Sequence, residues 1–160
     1  MKYLFDISQL EILSMLTFDA SINFEDLQQK PVSGKIKFTI ERRTYENVRR
    51  TKFLFWDQTE YQGKKSELKF SGIKSIRLEG IDEHFRDNHF INEFGFNKES
   101  GRIEMATSFG LLVEFEIDAN INIELSDIED SDFGSGKSSG KHGFTKDEWT
   151  EYLIEKKYAT

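Results

Sequence analysis

Over much of the chain, apolar and polar side chains alternate one by one. In residues 35–41, Ile36, Phe38 and Ile40 fall on one side and Lys35, Lys37 and Thr39 on the other. The same period runs through Ile76 and Leu78, through Leu111, Val113, Phe115 and Ile117, and through Ile121, Ile123 and Leu125. Phe94 with Phe96, and Ile103 with Met105, are shorter instances. A two-residue period sends successive side chains to opposite faces, the mark of half-buried strands. Phe53, Leu54, Phe55 and Trp56 form an unbroken apolar run, which predicts a more central strand, or one covered on both faces. Residues 10–18 also read as a strand, with Ile12, Leu16 and Phe18 at even positions and Leu13 and Met15 interleaved.

The connections between these segments are short. The stretch Asn97–Gly101, reading NKESG, has the form of a hairpin loop. Ser108–Gly110, Asp118–Asn120 and the polar stretch Tyr61–Ser66 around Gly63 are read as further turns. Short links favour antiparallel pairing, because parallel neighbours need long crossovers. The predicted fold is therefore mainly β: an antiparallel sheet or β-sandwich with a C-terminal α-helix.

That helix has the clearest local signature. Thr145 and Glu148 have the spacing of a capping box, and Phe144 with Trp149 that of a hydrophobic staple. Asp147 and Glu148 suit the positive end of the helix dipole, Lys156 and Lys157 the negative end. The helix is expected from Lys146 to about Lys157, with Trp149, Tyr152, Leu153 and Tyr158 on one apolar face. A helix this short needs a surface to dock on. Before it, residues 127–143 begin acidic and become Gly- and Ser-rich, which predicts a flexible loop. The expected organisation is a β-rich core over 1–126, this loop over 127–143, and the amphipathic helix over 144–160.

Composition narrows the function classes. The chain has 160 residues, 15 Phe and no Cys, so it can fill a core without disulfides and has no thiolate chemistry. No apolar stretch reaches membrane-span length, and residues 1–16 lack the pattern of a secretory signal. A cytoplasmic location is expected, with no membrane partner. The formal charge of −7 disfavours nucleic acid as a general partner. Against that trend, Arg42, Arg43, Arg49, Arg50 and Lys52 gather around Tyr45, either as a solvated hairpin end or as a docking patch for anions.

The candidate chemistry is thin. Gly136-Lys137-Ser138 has the ending of a phosphate-binding loop, but Ser131 stands where the first Gly is required, and the following Gly-rich residues oppose a helix. Asp127, Glu129, Asp130 and Asp132 do not follow the calcium-loop spacing. His84 and His89, with Asp82, Glu83 and Asp87, offer metal-ligand types at a spacing that differs from the zinc-protease helix. Glu114, Glu116 and Asp118 share a strand face that could do acid–base work but more simply forms the wet side of a sheet. No catalytic residue, metal ligand or cofactor is assigned.

From Leu68 to Leu125 the segments LKFSGIKSIRLEG, INEFGFNKESGRIEMATSFGLLVEFEID and INIEL follow one another in a characteristic strand rhythm. In this the chain resembles small bacterial β-rich proteins, including immunity-protein families of polymorphic toxin systems. The resemblance implies a bacterial cytosolic protein that binds another protein, often a toxin, through an acidic surface. The expected function is accordingly a non-enzymatic protein-binding module, in its most concrete form a toxin-neutralising immunity protein. Its basic partner would be met by Glu114, Glu116, Asp118, Asp127, Glu129, Asp130 and Asp132. The alternatives are a β-rich module holding a small ligand in an aromatic cavity, and a hydrolase using Glu114 and Glu116 with the His84 region.

Overall fold

In the computed structural model, which describes residues 1–80 and 87–158, the chain is mainly β and antiparallel. Its eight strands are β1 (Lys2–Phe5), β2 (Ser21–Asn23), β3 (Lys35–Arg43), β4 (Arg49–Phe53), β5 (Trp56–Glu79), β6 (Asn88–Asn97), β7 (Arg102–Thr107) and β8 (Leu112–Ser139). They run in the order β1-β8-β7-β6-β2-β3-β5-β4, and a further pairing of β8 with β5 closes the sheet on itself. The helices are α1 (Leu10–Thr17), the single turn α2 (Phe24–Leu27) and α3 (Lys146–Glu155).

The period-two faces account for the core. Ile36, Phe38 and Ile40 of β3, Leu68 and Phe70 of β5, and Val113 and Phe115 of β8 all turn inward and are buried. Phe70 stacks on Phe115 at 4.7 Å between ring centroids, and Phe38 meets Phe70 edge-on at 6.0 Å. Such pairs add to the stabilisation from area burial alone. The Asn97–Gly101 hairpin forms where expected, with the Asn97 side chain accepting from the Glu99 and Ser100 amides.

The structure corrects several local expectations, four of them in the course of the chain. Residues 10–18 are not a strand: Leu10, Leu13, Leu16 and Thr17 recur at helical spacing on the buried side of α1. The sequence is ambiguous there because Ile12 is buried as well. A 3-10 turn, capped by Asp6 and Gln9 in a capping box, starts the segment.

Tyr61–Ser66 is not a turn but the interior of β5, paired with β3 on one side and β8 on the other. Gly63 is the reason for its composition. The Phe133 carbonyl lies only 1.9 Å from where a Cβ would stand, so only glycine lets the two strands approach. Asp118–Asn120 likewise lies within β8, at a register irregularity opposite Gly72.

The fourth correction concerns residues 127–143. Instead of a loop, β8 continues through Ser139, pairing Asp130 with Lys64, Gly136 with Tyr61 and Ser139 with Gln58. One of its glycines lets it approach another strand closely: Gly134 lies against the Arg43 backbone and Cβ. Backbone pairing with β5 stabilises a segment whose side chains bury little, which composition alone does not reveal.

The C-terminal helix forms as its caps predict. Thr145 and Glu148 make both capping-box hydrogen bonds, and the Phe144 ring lies 5.4 Å from that of Trp149. Trp149 is buried, the Tyr152 hydroxyl reaches the Met15 sulfur at 3.3 Å, and the Tyr158 hydroxyl donates to the Ser8 carbonyl at 3.2 Å. The apolar face of α3 thus docks on α1 and its approach in the same chain.

Candidate interaction surface

The basic cluster of residues 42–52 divides into internal fastenings and an exposed remainder. Arg42 is wholly buried. Its guanidinium donates to both oxygens of Glu46 at 3.0 and 2.9 Å, to Asp127 at 3.0–3.1 Å and to the Leu16 carbonyl at 3.1 Å. Ser66 adds a hydroxyl bond to Asp127 at 2.7 Å. Burial alone would pull the Arg42 pKa down, but the two carboxylates outweigh it and hold the charge more firmly than usual. Burial and the neighbouring Glu46 push the Tyr3 hydroxyl, which donates to Glu46, well up. One side chain therefore ties β3 to β5, β8, α1 and the turn after β3.

Arg43 is also internal. It lies over the Tyr61 ring, 4.2 Å from the centroid, and donates to the Gly134 carbonyl at 2.8 Å. Arg50 pairs with Glu148 and donates to the Gly143 carbonyl at 2.8 Å, joining β4 to the start of α3. Arg49 and Lys52 remain exposed.

Most of the predicted acidic face is likewise engaged within the chain. Glu114, expected to project outward, is buried and accepts from Arg77 at 2.9 Å and Arg102 at 3.2 Å. Glu116 accepts from the Ser75 hydroxyl at 2.9 Å, and Asp118 from the Asn120 amide at 2.8 Å. Asp127 belongs to the Arg42 cluster. Glu129, Asp130 and Asp132 are exposed on β8, the first two beside Lys65 and Lys64. The seven carboxylates thus do not form one free surface. With Glu114 held by two arginines, the pairing of Glu114 and Glu116 presents no open acid–base couple.

The remaining sequence candidates fare as follows. Residues 136–138 lie at the end of β8, paired with residues 59–61, rather than at a helix N-terminus. Asp82, Glu83 and His84 lie outside the described residues. His89 is buried beside Phe24 and Phe109. Among the described residues, no group of three or more His, Asp or Glu could hold a metal ion, and no helix is long and apolar enough to cross a membrane.

The feature that sequence reasoning assigned to the interior lies outside. Phe53 ends β4, Trp56 begins β5, and Leu54 and Phe55 form the two-residue turn between them. Exposures are 65% for Phe53, 70% for Leu54, 97% for Phe55 and 64% for Trp56. An apolar run reads alike whether it lies in a core strand or at a hairpin tip, and the run contains no turn residue to mark it. Two-residue hairpin turns require positive φ at one or both central positions and so favour Gly, Asn or Asp. Here Leu54 takes φ +57°. The chain thus accepts backbone strain as well as exposed apolar area at one point, a combination found where a surface is used.

The surroundings of the tip are basic. Lys52 and Arg49 flank it on β4; Lys137 lies opposite Glu60; and Lys141 follows Gly140, whose amide donates to the Asp57 carbonyl. Four exposed bases accompany two acids, Asp57 and Glu60, in a chain whose overall charge is −7.

A second apolar surface lies at the root of the same ribbon. A groove of about 370 Å³ is bounded by Met15 and Phe18 of the α1 region, Tyr45, and Phe144 before α3. Its charged lining residues are Glu11 and Glu93, both exposed carboxylates.

A closed antiparallel sheet with an apolar, basic-flanked finger is the architecture that these observations define. The chain belongs to the DUF2948 family, described as a protein of unknown function, whose pattern matches residues 3–142. Comparison with curated proteins and with solved structures finds no match.

Proposed function

We propose that this chain is a protein-binding module whose principal contact is the hairpin tip Phe53–Trp56. The observation that carries this reading is the exposure of four consecutive large apolar side chains, three of them aromatic, on a paired β ribbon. Aromatic anchors on a rigid scaffold supply most of the binding energy in protein interfaces and lose little entropy on docking. The basic flank selects a partner with an apolar pocket rimmed by acids. A protein is favoured over an anionic bilayer because the net charge of −7 opposes approach to an extended anionic surface, whereas a local acidic rim meets only the basic ribbon. In its most concrete form the module is a bacterial immunity protein that neutralises a toxin, as the strand rhythm of residues 68–125 suggests. The partner then carries acids around the pocket instead of the basic surface expected from net charge.

Photocrosslinking in the native cell tests this, with a benzophenone amino acid at position 55 and, as control, at position 98 in the hairpin between β6 and β7. Discrete adducts from 55 and none from 98 are the expected outcome. Equal adduct patterns from both sites would sink the reading. So would flotation with vesicles of phosphatidylcholine and phosphatidylglycerol that Phe55→Ser abolishes, which would make the tip a membrane anchor.

A further inference from the structure

We infer that the groove between Phe18, Met15, Tyr45 and Phe144 receives the hairpin tip of a second copy of this chain. The inference rests on the reading of the tip as a protein-binding element and names one partner for it. Two complementarities support it. The tip is apolar and the groove is apolar, and the groove's volume of about 370 Å³ lies in the range of roughly 300–1,000 Å³ typical of preformed pockets. The net charges beside them are opposite: Lys52 and Lys141 outweigh Asp57, the cross-strand neighbour of Lys52, at the tip, while Glu11 and Glu93 line the groove.

The contact cannot be made within one chain. Val48 lies at the root of the ribbon, its amide donating to the Phe144 carbonyl beside the groove. From Val48 to Leu54 is six residues of extended chain, about 20 Å at ~3.3 Å per residue. Continuous pairing of β4 with β5, from Arg49 with Glu60 to Phe53 with Trp56, prevents the ribbon from folding back. A tip that fits the groove must therefore come from another molecule.

Three aromatic side chains of about 150–250 Å² each suffice for a small interface, near or below the ~1,200 Å² total of the smallest stable complexes. Reversible association that weakens with added salt follows, because the opposed charges are exposed and screened. Self-association of this kind keeps the tip covered until a tighter partner displaces it.

The test uses the full chain in sedimentation velocity across a concentration series at low and high salt. Phe55→Ser, which disables the tip, and Phe18→Glu, which disables the groove, should each give monomers. An equimolar mixture of the two should recover a 1:1 pair, because each partner contributes the surface that the other lacks. Lys52→Glu and Glu93→Lys should each weaken association about tenfold, equivalent to ~1.4 kcal/mol, and the chain carrying both should recover. Circular dichroism confirms that each variant folds. A wild type that stays monomeric throughout, association that survives both disabling variants, or a mixture that does not recover would overturn the inference. A monomer whose groove instead takes up the uncharged dye N-phenyl-1-naphthylamine would make the groove a small-molecule site and overturn it too. Adducts from position 55 to a different protein, with no self-association, would leave the tip reading intact while ending this one. Absence of any adducts from position 55 would end both.

Discussion

Arg42 of β3 and Phe53 of β4 stand eleven positions apart, and each occupies the environment expected of the other. The guanidinium is wholly buried, while the phenyl ring is 65% exposed. What separates them is the availability of partners. Arg42 meets Glu46, Asp127, Ser66 and the Leu16 carbonyl, so its donors are satisfied and its charge is opposed. A buried charge is retained under those conditions and is ruinous without them. Phe53 and its neighbours lie beyond the closed sheet, where β4 and β5 have only each other. Among the described residues, nothing covers their apolar area. The first region spends polar groups on joining five elements of the fold, and the second leaves apolar groups for contact with something else. Polarity inside and apolarity outside thus have opposite meanings: stability for the former and, under the function proposed above, recognition for the latter.

The strongest way to break this contrast is to remove Arg42. Arg42→Met leaves Glu46 and Asp127 facing each other in a buried site and should cost roughly 3–5 kcal/mol, as loss of one partner of a buried ion pair does. Urea denaturation measures it. Adding Glu46→Gln and Asp127→Asn to that variant should recover most of the loss. A single variant as stable as wild type would show that water reaches the cluster freely.

Leu54→Gly should act in the opposite direction. Relieving a positive φ at a non-glycine residue stabilises by about 1 kcal/mol, even though an apolar side chain is deleted. A lower midpoint would mean that Leu54 packs on something, contrary to its 70% exposure. The same variant should bind any tip partner less tightly, separating stability from recognition at one position.

Thr145→Ala should cost about 1 kcal/mol, the usual loss for an N-cap, because α3 is tied to β4 through Arg50 and buries Trp149. An unchanged thermal midpoint would show that α3 contributes little to the cooperative unit.

Smaller still is the effect of Phe55→Ser on folding, within about 0.5 kcal/mol as for exposed sites. A larger loss would place the tip in the folding core and remove the contrast.

The last test is a pH dependence. The hydrogen bond from Arg50, followed by that from the Thr145 amide, lowers the Glu148 pKa from the ordinary glutamate value. A depressed folded-state pKa stabilises fully above the unfolded value, and the contribution fades as pH falls through the folded one. Glu148→Gln should therefore be less stable than wild type at neutral pH, with the gap closing on acidification. A gap that widens in acid would contradict the sign of the shift.

Period-two patterning carried the strand faces, because a sheet buries one side whatever its topology. The α3 caps were equally legible, since capping involves only residues three or four apart. The α1 segment and the tip were not, because an apolar run shows that burial is attractive without showing where cover exists. Residues 127–139 were missed for the converse reason: they are held by backbone bonds to β5, and those bonds have no side-chain signature.

The sequence by itself determined a β-rich chain with a capped terminal helix, an acidic balance and no cysteine chemistry. Local spacing and composition suffice for such properties. Only the tertiary structure decided that Arg42 and Glu114 are internal, that strand β8 runs on through the acidic stretch, and that Phe53–Trp56 faces outward. Each of these depends on whether a distant segment arrives to pair a charge, a backbone or an apolar face. Asp127 reaches Arg42 across 85 residues, Ser131 of β8 pairs with Gly63 of β5, and nothing among the described residues reaches Phe55.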